Sequence, residues 1–201
     1  ISGNLFAQKF KWDLSLESGV GVRNLRIDPE YPSLKPITGL CFLGGISGQY
    51  NFSETWSLKL AAAYETKGMD FDRTDIETTG SVNLEYIAIP LLIKTSTGRK
   101  NKFYANVGPY IGFLMSNKTK IDAYAGNPDI IMDNTDSTNS TDFGISIGAG
   151  VEVYVTRNNT MSIEIRDNYG LTNISKSKET NAPAIRTNTF NFMLTYTFKL
   201  K

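Results

Sequence analysis

An alternation of apolar with small or polar residues runs from Phe143 to Thr156 and resumes from Met161 to Arg166. A period of two indicates a β-strand, because successive side chains leave opposite faces of the backbone. Asn158 and Asn159, between the two runs, are typical of a turn, since Asn tolerates positive φ. The sequence therefore predicts a β-hairpin with one continuous apolar face, made of Phe143, Ile145, Ile147, Ala149, Val151, Val153, Val155, Met161, Ile163 and Ile165.

The first strand of this hairpin is longer than most strands of globular sheets. Its second face carries small and charged residues, among them Gly144, Gly148, Gly150 and Glu152. A long strand with one apolar face and one small or polar face suits a wall with lipid outside and a packed polar interior.

Six further segments show the same alternation, at 11–22, 39–52, 56–67, 82–95, 102–116 and 186–201. In the fourth predicted strand, the pattern places Leu84 and Tyr86 outward and Glu85 inward. Pro90 in that strand predicts a bulge, because proline lacks the N–H of a ladder hydrogen bond. The next predicted strand also contains a proline, Pro109. The facing of residues after Pro90 is left unassigned.

The connections between the eight predicted strands alternate between long and short. The long polar ones are 23–38, 68–81, 117–141 and 170–185, and the short ones are 53–55, 96–101 and 157–160. A membrane barrel has this arrangement, with long external loops and short periplasmic turns. The predicted fold is therefore all-β, an eight-stranded antiparallel up-and-down transmembrane β-barrel with four long loops at one end and three short turns at the other.

The aromatic residues agree with this prediction. Trp12, Phe52, Trp56, Phe103 and Phe198 all lie near the short-turn or terminal end of a predicted strand, as an interfacial girdle requires. Tyr64 and Phe143 are the expected members of a thinner girdle at the opposite end.

Composition excludes several classes of protein. The chain has 201 residues, a net charge of +1, one cysteine and no histidine. The near-zero charge gives no basis for a nucleic-acid partner, and no apolar run approaches the ~18 residues of a spanning helix. Without histidine, Ser-His-Asp and Cys-His catalysis are excluded. We expect no enzyme, no cofactor and no catalytic or metal site.

Residues 1–8 differ from the rest of the chain. They have a semi-apolar stretch ending in Ala7-Gln8, which fits the end of a secretory signal or an N-terminal extension. Residues 9–201 are then a single β-barrel domain.

Three segments resemble a known family. The run Leu84-Glu-Tyr-Ile-Ala-Ile-Pro-Leu-Leu-Ile-Lys94, the run Phe103-Tyr-Ala-Asn-Val-Gly-Pro-Tyr-Ile-Gly-Phe-Leu114 and the glycine-rich strand 144–150 resemble the PorT-like outer-membrane β-barrels of Bacteroidetes. The resemblance spans most of the chain. It implies an eight-stranded outer-membrane barrel and suggests a role in assisting protein secretion.

Charged residues on the inward faces predict a structural network inside the barrel. An eight-stranded barrel is just wide enough for side chains to fill, and charges of both signs are cheapest to bury when paired. The predicted members are Glu17, Lys59, Glu85, Glu152, Glu164 and Arg166, and Glu65 is a further charge expected to face inward. An ion path through the same residues, a Glu152–Glu164 catalytic pair and calcium binding by the acidic loops at Asp70–Asp75 and Asp133–Asp142 are weaker alternatives.

The sequence thus predicts a non-enzymatic barrel of the bacterial outer membrane, with a structural, partner-binding or secretion-supporting role through its loops or periplasmic end. The expected partners are outer-membrane lipid and another envelope or secretion protein, with the barrel itself a monomer. The alternative is a soluble, lipocalin-like barrel that binds a small ligand. The two differ in facing: in the membrane barrel, Ile145, Ile147, Val151, Val153, Phe192, Leu194 and Tyr196 lie on the outer surface.

Overall fold

The computed structural model describes residues 11–29, 34–73, 78–98, 101–122, 128–177 and 182–200. Residues 1–8, with their predicted signal remnant, lie outside these ranges. The described chain forms ten strands and one short 3₁₀ helix, Thr135–Ser137. The strands are β1 Trp12–Asp28, β2 Leu34–Ile37, β3 Gly39–Asn51, β4 Trp56–Arg73, β5 Thr78–Thr97, β6 Asn101–Ile121, β7 Ile130–Asp133, β8 Thr141–Tyr154, β9 Asn159–Gly170 and β10 Ala184–Leu200.

Eight of these strands close into a ring. The order is β4-β3-β1-β10-β9-β8-β6-β5, and antiparallel pairing of β4 with β5 completes the circle. The short strands β2 and β7 add to the far ends of β4 and β6. The predicted eight-stranded antiparallel barrel is confirmed. In the described part of the chain, no helix has the length and apolar character needed to cross a membrane.

The facing of the strands matches the membrane prediction. The seven residues expected outside lie on the outer surface; Ile147 is 55% exposed and Phe192 52%. Their neighbours Ser146 and Asn191 are 0% exposed. A lipocalin-like barrel requires the opposite arrangement, with the apolar face inside, so the structure gives that alternative no support.

Aromatic residues ring the barrel at two levels. At the short-turn end, Trp12, Phe52, Trp56, Phe103 and Phe198 are exposed, as predicted. The opposite girdle is fuller than predicted, because Phe42, Phe113, Tyr169 and Phe190 are exposed alongside Tyr64 and Phe143. The apolar band between the two girdles is the surface that meets the hydrocarbon of the bilayer.

The strands continue well past the second girdle, so the predicted loop at 68–81 is wrong. β4 extends to Arg73 and β5 begins at Thr78. The sequence there is rich in Asp and Thr, but Met69 and Phe71 are buried between half-exposed aspartates. Where paired strands extend beyond the membrane, their outer face is in contact with water. Polar residues on that face are therefore compatible with a strand and do not indicate a loop.

The predicted facing of β5 before Pro90 is also wrong. Leu84 and Tyr86 point inward and are fully buried, whereas Glu85 lies half-exposed on the outer side. The reason is that the barrel interior becomes apolar above the second girdle, so inward positions there carry large apolar groups. Beyond Pro90 the same phase holds, with Leu92 and Lys94 inward.

The bulge predicted at Pro90 is absent, and Pro109 produces none either. Pro90 pairs with Tyr110 and Pro109 with Ile145, and the register is the same on both sides of each. The register of the β5–β6 ladder shifts instead between Glu85 and Tyr86.

The inward apolar residues at this end form one compact group, which we call the apolar cap. Its members are Leu25, Met69, Phe71, Leu84, Tyr86 and Ile174, and Ile27, Leu34, Val82, Leu114, Ile121 and Ile185 pack against it. The cap fills the end of the barrel away from the short turns, which is the extracellular end of an outer-membrane barrel.

Candidate functional site: the charged interior

Below the apolar cap, the barrel interior is filled with charged and hydrogen-bonding side chains. Among the described residues, six carboxylates and five cations are buried there, and Lys199 lies at the periplasmic edge as a further cation. The buried carboxylates are Asp13, Glu17, Glu65, Asp142, Glu152 and Glu164, and the buried cations are Arg23, Lys59, Lys67, Lys94 and Arg166. The near balance of charge lets most of these groups pair with one another.

The central cluster consists of Glu17, Lys59, Glu164 and Arg166. Lys59 Nζ lies 2.6 Å from Glu17 Oε1, and Arg166 Nε lies 2.7 Å from Glu164 Oε1. Arg166 Nη1, at 3.6 Å from Glu17 Oε2, links the two pairs. Tyr104 donates to Glu164 Oε2 at 2.9 Å, and Ser47 donates to Glu17 Oε1 at 2.6 Å. Strands from opposite sides of the ring are thereby tied across its centre.

The periplasmic cluster consists of Lys94, Glu152 and Lys199. Lys94 Nζ is 3.0 Å from Glu152 Oε2, and Lys199 Nζ is 3.7 Å from Glu152 Oε1. The two lysines also lie over aromatic rings, Lys94 over Tyr104 and Lys199 over Tyr154, each at 4.0 Å from the ring centroid. A polar cavity of about 340 Å³ opens beside this cluster at the short-turn end.

The upper cluster consists of Glu65, Lys67 and Asp142, directly beneath the apolar cap. Lys67 Nζ donates to Asp142 Oδ2 at 2.8 Å and to Tyr110 at 3.1 Å. It lies 3.9 Å from Glu65 Oε2. The other carboxylate oxygen of Glu65 accepts hydrogen bonds from three side chains, at 2.6 Å from Thr189, 2.8 Å from Asn168 and 3.1 Å from Asn191.

The structure brings four of the six predicted network residues together in the central cluster: Glu17, Lys59, Glu164 and Arg166. Glu152 lies apart from them in the periplasmic cluster, paired with its own lysines. Glu85 lies on the outer side of β5, so its predicted place in the interior is wrong. Glu152 and Glu164 each have separate cationic partners rather than forming a carboxylate pair.

Of the upper cluster, only Glu65 was predicted as an inward-facing charge, and Lys67 and Asp142 were not predicted as part of the network. Lys67 follows Glu65 on the inward face of β4, and Asp142 precedes Gly144 and Ser146 in the same phase on β8. The alternation of inward and outward residues was therefore sufficient to predict that both Lys67 and Asp142 face inward. Asp142 was instead grouped with the acidic loop that precedes it.

The acidic residues of the extracellular loops do not converge on a metal site in the described residues. Asp70 lies 3.5 Å from Arg23, and Asp75 is outside the described ranges. Hydrogen bonds from Thr135 lower the pKa of Asp133. Lys120 lies 3.0 Å from Asp122 and 2.8 Å from Asp129, and hydrogen bonds to these carboxylates raise its pKa.

Glycines on β8 make room for the interior side chains. A Cβ built on Gly148 would lie 2.4 Å from Glu164 Oε1 and 2.7 Å from Asn106 Oδ1. A Cβ on Gly150 would lie 2.7 Å from the Tyr104 hydroxyl, and one on Gly144 would lie 2.4 Å from Tyr110 Cε1. The small residues opposite the long ones allow a narrow lumen to hold full-length Glu, Tyr and Arg side chains.

A closed antiparallel barrel with an apolar outer band, aromatic girdles and a polar, filled lumen defines an outer-membrane β-barrel protein. The sequence matches the outer membrane protein beta-barrel domain family over residues 6–176, and the chain belongs to this family. The protein is accordingly a component of the bacterial outer membrane. The match is to this broad family, and membership of the PorT-like group stays a prediction.

A solved outer-membrane protein shows the same fold. The outer membrane protein OprG from Pseudomonas aeruginosa matches with a TM-score of 0.56 at 12% identity, over 96% of this chain and 98% of that one. Neisserial surface protein A (NspA) matches with a TM-score of 0.49 at 14% identity, over 93% and 97% of the two chains. At this identity the likeness concerns the fold alone. No curated protein matches the sequence.

We predict that Arg166→Leu strongly destabilises the barrel. The substitution removes the guanidinium that pairs with Glu164 and Glu17, and breaking a buried ion pair costs about 3–5 kcal/mol. The measurement is urea unfolding of the refolded protein in detergent micelles, compared with wild type. Arg157→Leu in the exposed turn after β8 is the control, with an expected change below about 0.5 kcal/mol. Equal unfolding midpoints for Arg166→Leu and wild type would contradict a stabilising network.

We also predict that Gly148→Ala destabilises the barrel, by about 1–3 kcal/mol, as overpacking of a filled interior does. The added methyl group displaces Glu164 from Arg166. Gly48→Ala is the matched control, because a Cβ there meets no atom within 4 Å. The same urea experiment compares the two variants. If both lose the same stability, or neither loses any, space at Gly148 is not what the interior requires.

Proposed function

We propose that the protein is a non-enzymatic, closed barrel that acts through its two ends and does not conduct through its lumen. The observation that carries this proposal is the filling of the interior along its length. The periplasmic, central and upper clusters occupy successive levels, and the apolar cap lies above them. An eight-stranded ring leaves little further space.

Planar-bilayer recordings test the absence of a channel. The refolded protein is expected to give no steady open-pore conductance, because ion pairs and the apolar cap obstruct the path. A sixteen-stranded porin, whose lumen is an aqueous channel, is the positive control under the same salt and voltage. A reproducible unitary conductance of the refolded barrel would overturn the closed-barrel proposal.

The chemistry of the interior supports a non-enzymatic role. The chain has no histidine, and Glu152 and Glu164, the carboxylates considered for acid–base catalysis, are ion-paired with separate cations. A carboxylate held by a cation in this way is stabilised in its charged form and serves structure. Lipid covers the apolar band, and a ring closed within one chain suits a monomer.

The extracellular end offers a surface for a protein partner. β2, β4, β5, β6 and β7 form a sheet that rises above the second girdle, with β7 at one edge. Ile130, Ile131 and Met132 on β7 are exposed at 53%, 66% and 40%. An exposed apolar edge strand is a template for strand addition. The partner we propose is an extended segment of another envelope protein that pairs with β7.

The periplasmic end is the second candidate, and it follows the resemblance to PorT-like barrels. The cavity of about 340 Å³ beside the periplasmic cluster is lined by Lys94, Lys102, Glu152 and Lys199. Its polar, charged lining suits a polar segment of a secretion protein. A role in supporting secretion would use this end of the barrel.

Site-specific photo-crosslinking in intact cells distinguishes the two ends. A photoreactive residue at Ile131 probes the extracellular edge, and one at Lys102 probes the periplasmic cavity. Ala62, which faces lipid on β4, is the control and should crosslink to no polypeptide. We expect a discrete crosslinked partner at Ile131 that disappears when Ile130 and Met132 are changed to Asp. Crosslinking at Lys102 alone would favour the secretion role, and none at either position would contradict partner binding.

A further inference from the structure

Two arginines face each other on the outer surface of the barrel, just above the extracellular girdle. Arg26 on β1 pairs directly with Arg186 on β10. Both point outward, because their neighbours Leu25 and Thr187 are buried inside. Phe190, a girdle residue, lies on the same face of β10. At ~3.3 Å per residue, Arg186 is about 13 Å further along the strand, at the level of the lipid headgroups.

No ion pair with a described carboxylate neutralises the charge of this pair. Like charges placed directly opposite on neighbouring strands repel and destabilise a sheet. Among the described residues, no carboxylate forms an ion pair with either arginine. Asp28, two residues after Arg26 on the same face of β1, is exposed and forms no ion pair with either arginine, and Asp167 accepts a hydrogen bond from Asn188 at 2.9 Å. Both guanidinium groups therefore remain available to an anionic group from outside the protein.

Both guanidinium groups are held in place by the end of β9. The Arg26 guanidinium carbon lies 3.7 Å from the centroid of the Tyr169 ring, a cation–π contact. Arg26 also donates to the Tyr169 hydroxyl and to the carbonyl oxygen of Gly170. Arg186 Nε donates to the carbonyl oxygen of Leu171 at 3.1 Å. Within the described chain, the two Nη groups of Arg186 have no acceptor.

We propose that Arg26 and Arg186 bind a phosphate group of an outer-leaflet lipid. Guanidinium groups match phosphate oxygens with paired hydrogen bonds, and a phosphate between the two arginines removes their repulsion. Below the pair, beyond Asn24 and Asn188 on the same face, Val22 and Phe190 and then Ile165 belong to the apolar band, against which the acyl chains of the same lipid pack. A free phosphate ion gains none of this apolar contact on a convex surface. This inference does not depend on whether the lumen is closed.

The test is native mass spectrometry of the refolded barrel in detergent, titrated with lipid A carrying both phosphates, with dephosphorylated lipid A and with inorganic phosphate. Wild type should bind phosphorylated lipid A about tenfold more tightly than the dephosphorylated form, since each charge-assisted hydrogen bond contributes strongly. Arg26→Gln/Arg186→Gln should lose that difference and keep the weak binding of dephosphorylated lipid. Arg157→Gln, at the opposite end of the barrel, should bind as wild type does.

A single conservative variant tests the proposal independently, in case the double variant does not fold. Arg186→Lys keeps the charge but loses the planar fork, so its preference for the phosphorylated lipid should lie between wild type and the double variant. Circular dichroism verifies the fold of each variant. Equal preference for phosphorylated lipid in wild type and Arg186→Lys or the double variant would overturn the proposal. Competition by inorganic phosphate at equal concentration would also overturn it, because the site would then bind a free anion.

Discussion

The closed ladder of backbone hydrogen bonds is the constraint on which every other feature depends. In hydrocarbon no water is present to satisfy an N–H or C=O group, so a chain that crosses the bilayer as strands must leave no open edge. The β4–β5 pairing removes the last edge and fixes the ring at eight strands. The short strands β2 and β7, which do leave edges, occur only beyond the extracellular girdle in the described chain.

The size of the ring then dictates the chemistry of the lumen. Eight strands enclose a space that side chains fill, and at membrane depth the outward positions are already apolar. Polar residues left for the inward positions must find partners within that narrow space. The chain meets this condition with nearly equal numbers of buried acids and cations and with glycines such as Gly148 and Gly150 opposite the longest side chains. Arg166 is central because one guanidinium reaches two carboxylates.

The two-residue period was sufficient to predict the membrane-spanning part. Where lipid surrounds the barrel, apolar side chains face outward and polar ones face inward. The facing of Ile147, Phe192 and Arg166 follows directly from this rule. The rule fails at Leu84, Tyr86 and Glu85, because above the membrane both faces of the sheet change environment. There water lies outside and an apolar core lies inside, so an apolar residue faces inward and a polar residue faces outward. The Lys67–Asp142 contact at 2.8 Å could not be predicted from the alternation for another reason. It joins β4 to β8, and only closure of the ring brings those two strands together.

Because of the apolar cap, the two ends of the lumen differ in their access to water. Water can approach the charged interior through the polar cavity at the periplasmic end, whereas the route from outside the cell passes through packed Leu, Met, Phe and Tyr side chains. The effective dielectric constant therefore falls along the barrel axis, from Glu152 near solvent to Asp142 beneath the cap. Ion pairs of similar length interact more strongly at the dry end than at the wet one. Water therefore enters the lumen from the periplasmic end. Hydrogen exchange of the buried polar groups is expected to be fastest near Glu152 and slowest near Asp142.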